Sequence, residues 1–76
     1  MDHATIADHL AQAERHVVAG ERTLAHQRGL VAELERDGHD TSQARALLVQ
    51  FEELQALHIS NRDRLRRELA ALPQSK

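Results

Sequence analysis

The 76 residues include no cysteine, tryptophan or tyrosine, one phenylalanine, one proline and three glycines. Without cysteine, neither a disulfide nor a thiolate metal site can staple so short a chain. A lone Phe51 cannot supply the row of aromatic faces on which single-stranded nucleic acid stacks, and it argues equally against a sugar-binding site. Pro73 stands where it can end a helix but cannot interrupt one. No apolar run approaches the roughly 18 residues that span a bilayer. The opening MDHATIADHL lacks the basic-then-apolar order of a signal peptide, so a cytoplasmic protein is expected. Ten Lys+Arg stand against twelve Asp+Glu, a balance that disfavours nonspecific nucleic-acid binding. Lys76 is the single lysine; the remaining positive charge is arginine, which is suited to two-pronged pairing with carboxylates.

Ala, Leu, Glu, Arg and Gln dominate, and all favour helix. No Val, Ile or Thr run alternates with period two, so no strand is expected. In the first half, Ile6, Leu10, Ala13, Val17, Gly20, Leu24, Gln27, Val31 and Leu34 recur at alternating four- and three-residue steps, a sustained heptad seam. In the second half the same reading gives Ala44, Leu47, Phe51, Leu54, His58, Asn61, Leu65, Glu68 and Leu72, with Leu48, Leu57, Leu69 and Ala71 as shoulders. A stripe with two shoulders is too broad for one partner helix.

Between the halves lies ELERDGHDTSQARALL, residues 33–48. Gly38 falls just past the last seam residue of the first half, where a left-handed C-cap is expected. Asp40 or Thr41 can cap the next helix, and Asp40 with Gln43 would form a capping-box-like pair. Stop and start signals this close predict an antiparallel turn rather than a continuous rod. The expected organisation is one helical hairpin: a helix over about 3–37, a turn over about 38–40 and a helix over about 41–72. Folding there opposes Leu34 to Ala44, Gln27 to Phe51, Leu24 to Leu54, Gly20 to His58, Val17 to Asn61, Ala13 to Leu65 and Ile6 to Leu72.

Two helices cannot cover both stripes, and a chain of this size is marginal on its own core. The expected fold class is therefore all-α: an antiparallel two-helix, coiled-coil-like hairpin that dimerises into a four-helix bundle, a trimer of hairpins being the alternative. Assembly would be carried by Leu10, Val17, Leu24, Val31, Leu34, Leu47, Phe51, Leu54, Leu65 and Leu72. Gly20, Gln27, His58 and Asn61 would form a central polar layer that fixes register and partner number.

No catalytic motif is present and no cofactor is expected. No two of the six histidines stand three or four apart, so no helix turn presents a ready metal pair, and the Glu-x-x-His motif of carboxylate-bridged bundles is missing. The weak metal candidates are His16 and His58, either His58 from two chains or both residues with a carboxylate. Arg62, Arg66 and Arg67 form the best basic patch, but pairing with Asp63, Glu68 and, across the hairpin, Glu14 is the preferred reading. The expected function is a small non-enzymatic, homo-oligomeric interaction or regulatory module, with itself and an unknown protein as partners. The alternatives are a nucleic-acid-binding hairpin dimer using Arg62 to Arg67, or a metal- or small-ligand-binding bundle centred on His58.

The patterns AERHV-x-x-GER, ELERDGHDT and FEELQALH, lying within a stretch from about His9 to Leu65, resemble those of short helical-hairpin proteins of alpha-proteobacteria, rhizobial ones above all. The ERDGHDT turn is the most specific part. The resemblance implies a helical hairpin and carries no catalytic residue with it.

Overall fold

Asp2 starts the fold. Its extended backbone and its Oδ1, which accepts the Thr5 N–H at 2.8 Å, cap helix α1 over His3–Arg36. These bonds from Thr5 hold the Asp2 carboxyl below the usual carboxylate range. In the computed structural model, which describes residues 2–73, a second helix, α2, spans Ser42–Ala71. The two pack antiparallel as a rod 62 × 14 × 13 Å.

Two backbone bonds close the turn. Gly38 donates to the Glu35 carbonyl at 3.1 Å and His39 to the Leu34 carbonyl at 2.9 Å, the two bonds of a Schellman ending. Gly38 is left-handed, with φ 74°, as its position past Leu34 predicts. Thr41 is the N-cap of α2 but makes no side-chain cap bond. Asp40 acts one step earlier: its Oδ1 accepts both the N–H and the hydroxyl of Ser42. The expected pairing of Asp40 with Gln43 is thus replaced by an Asx-type turn onto Ser42, which reaches the nearer donor. At the far end Leu72 is extended, as a residue before proline must be.

The seam of α1 is as expected. Ile6, Ala13, Val17, Leu24, Gln27 and Val31 are buried, with Leu10, Gly20 and Leu34 half-buried between them. The seam of α2 is not. Its buried and half-buried row runs Ala44, Leu48, Phe51, Gln55, His58, Arg62, Leu65, Leu69 and Leu72. The helix is turned from the 47, 54, 61 row towards the 48, 55, 62 row. Leu47, Leu54 and Asn61 consequently lie exposed in the hairpin, so Leu24 is not covered by Leu54 in the manner expected, nor Val17 by Asn61. Gly20 is the reason. It leaves a notch in α1, and Gln55 fills it because its amide can reach the backbone beneath. At the open end of the hairpin Ile6, Ala13 and Leu65 form the core, with Leu10, Leu69 and Leu72 packed against them.

Candidate functional site

The two long sides of the hairpin differ in chemistry. One is closed by ion pairs between the arms: Glu14–Arg66 at 3.2 Å, Arg28–Glu52 at 3.8 Å, and Glu35–Arg45. Their positions, 14, 28 and 35 on α1 and 66, 52 and 45 on α2, fall at heptad intervals, so one strip of each helix carries them all. From one pair to the next the signs are reversed, which penalises slippage of one arm past the other. Each pair is about half exposed and contributes little stability alone; its value is in register. Glu21, on the same strip, instead turns inward to accept from Gln55.

The other side is open. Here His16, Ala19, Gly20 and Thr23 of α1 face Phe51, Leu54, Gln55 and His58 of α2 across a groove of about 260 Å³. Beside it Leu30, Leu47 and Leu54 stand exposed, while Leu57, 67% exposed, lies further round α2, and Val18 and Val49 are exposed next to the ion-pair strip. Heptad spacing relates Leu30 to Thr23 and His16, and Leu47 to Leu54, so the aliphatic residues continue the groove walls along the rod.

Gln55 forms the groove floor and is only 4% exposed. Its Nε2 donates to the Val17 carbonyl at 2.9 Å and to Glu21 Oε1 at 3.0 Å. Its Oε1 is buried without a hydrogen-bond partner and lies against Gly20, where a Cβ would collide with it. Gln55 lies off the seam expected for α2, and it, rather than His58, opposes Gly20. The signal available was the glycine itself, since a notch on a heptad seam calls for a large side chain opposite.

The expected polar layer is not one layer. Gln27 donates to the Ala44 carbonyl at 2.9 Å near the turn. Asn61 faces outwards and accepts from Arg64 at 2.7 Å. His58, half-buried on the groove edge of the α2 row, meets His16, ring centroids 5.4 Å apart and planes inclined by 51°. Among the described residues no group of three or more His, Asp or Glu side chains is placed to hold a metal ion.

The arginine patch is also divided. Arg62 pairs with Asp63 and Arg66 with Glu14, while Arg64 binds Glu68 and Asn61. Arg67 is exposed and, five residues on from Arg62, points well away from it around the helix.

No family model matches the chain, nor does any curated protein or solved structure. Among the described residues, no helix is long and apolar enough to cross a membrane.

Proposed function

We propose that this chain is a non-enzymatic, cytoplasmic interaction module: two hairpins join through their open sides into a four-helix bundle, and the bundle surface engages a protein partner. The observation that carries this reading is the set of exposed leucines Leu30, Leu47 and Leu54 at a groove on the side away from the cross-arm ion pairs found among the described residues. Leaving such a set in water is costly, since fully burying a leucine is worth about 1.5 to 3 kcal/mol. Scale supports a twin as the cover. One side of a rod 62 Å long and 14 Å wide offers about 870 Å², close to the ~800 Å² per partner of a stable interface. The core inside one hairpin is small, with six buried apolar side chains among the described residues, so pairing would add stability that a lone hairpin lacks. The pairing of Arg62 with Asp63 and of Arg66 with Glu14 lowers the net positive charge of this patch, which supports protein rather than nucleic acid as the outside partner.

Sedimentation equilibrium over a wide concentration range tests the assembly. A mass of twice the chain, reverting to one chain in Leu54→Asp with helicity retained, is the expected result. A helical, thermally stable single chain at micromolar concentration would overturn it.

A further inference from the structure

His16 and His58 come from opposite arms and meet at the groove with ring centroids 5.4 Å apart. That spacing has a chemical counterpart. Zinc binds imidazole nitrogen at about 2.0 to 2.1 Å, which puts each ring centroid about 3.2 Å from the ion. Two such rings at a tetrahedral angle lie about 5.2 Å apart. The centroid spacing of the two imidazoles thus matches what one tetrahedral ion requires, with the ring nitrogens turned towards it. Most of the neighbouring wall is apolar or small: Ala19, Gly20, Phe51 and Leu54. Such a wall excludes competing water once covered.

One chain supplies only two ligands, and among the described residues no third His, Asp or Glu joins them. A structural zinc site closes at four. The missing pair has a natural source, because the groove with both histidines lies on the side proposed above as the dimer face. We propose that His16 and His58 are half of an intersubunit site for zinc or a similar borderline cation, completed by the same two residues of a second copy. The proposal rests on the dimer reading. A two-fold axis parallel to the helices brings both pairs to one level; an axis crossing the rod at the groove does so as well. With four neutral imidazoles and no carboxylate, the ion would add positive charge to the dimer centre and lock hairpin orientation.

The test is titration of the full chain with zinc chloride by calorimetry, beside sedimentation with zinc and with EDTA. Cobalt(II) serves as a visible-absorption probe of tetrahedral geometry. The expected result is one zinc per two chains, a dimer strengthened by zinc, and a tetrahedral cobalt spectrum, all lost in His16→Ala and His58→Ala but kept in His39→Ala. His16 is exposed, so its variant reports on the ligand even if His58→Ala folds poorly. A zinc-indifferent dimer would overturn the metal site and leave the dimer standing, His16 and His58 then being an aromatic contact only. Zinc bound one to one by a single chain would overturn the shared site and the dimer together. Equal loss in His39→Ala would overturn the assignment to this pair.

Discussion

Gln55 lies in the notch left by Gly20, its Cδ 2.6 Å from where a Cβ of that residue would stand. A glycine inside a helix normally costs about 1 kcal/mol relative to alanine, so Gly20→Ala would ordinarily stabilise. Here the sign reverses. The methyl group would expel the carboxamide that donates to Val17 and Glu21, for a loss of about 1 to 3 kcal/mol. In a Gln55→Ala background the same substitution should stabilise. Urea denaturation of both single variants and the double variant measures the coupling; additive effects would refute the notch.

Leu24 and Leu54 separate folding from assembly. Leu24 is 5% exposed and Leu54 50%. Leu24→Asp places a charge inside the hairpin and should lower stability by more than about 3 kcal/mol, with helicity lost by circular dichroism at 25 °C. Leu54→Asp should leave the helical spectrum intact at high concentration and alter only the sedimenting mass. Identical behaviour of the two variants would mean that the hairpin does not exist apart from the assembly.

Gly38 should tolerate no side chain without cost. With φ at 74°, Gly38→Ala is expected to destabilise by about 1 to 2 kcal/mol, and Gly38→Val by more. Gly29→Ala is the control, because nothing lies within 4 Å of its added Cβ and its φ is ordinary; it should stabilise by about 1 kcal/mol. Thermal melts of the two alanine variants should move in opposite directions.

Acid should loosen both helix starts. Asp2 and Asp40 each have a carboxyl held below the usual range by bonds from Thr5 and Ser42 respectively. A lowered folded-state pKa gives stability that is present above the unfolded value and lost as pH falls through the folded one. With unfolded aspartate near pH 3.9, the loss should begin below about pH 4. Asp2→Asn and Asp40→Asn, both still able to accept these bonds, should flatten this acid limb while changing little at pH 7. An unchanged acid limb in the double variant would show that these caps do not titrate with folding.

The hairpin and its first helix were legible because each rested on a signal with one reading. Ile6 through Leu34 offers a single apolar seam, and Gly38 with Asp40 and Thr41 just beyond it offers one place to turn. The second helix was ambiguous at its root. Rows through Leu47 and Leu54 and through Leu48 and Leu69 are comparably apolar, and the residue that decides between them, Gln55, counts as polar in any periodicity. Burial of a glutamine depends on a neighbour far along the chain, which local pattern does not record. The same blindness applies to His16 and His58: spacing along one helix rules out a pair, while the fold supplies one from both arms. The Glu14–Arg66 contact was legible because complementary charge on facing heptad positions is a long-range rule readable from sequence.

The tight ending at Gly38 also sets how far apart along the chain each pair of facing residues lies. Once it forms, Glu35 and Arg45 lie side by side, and each successive pair of facing residues closes only a small additional loop, so the two arms can join like a zip from the bend outwards. The contacts of Ile6 with the distal end of α2 close the longest loop, yet they belong to the apolar core of the hairpin. The bend and that core therefore tie down opposite ends of the rod, although the bend buries almost nothing itself.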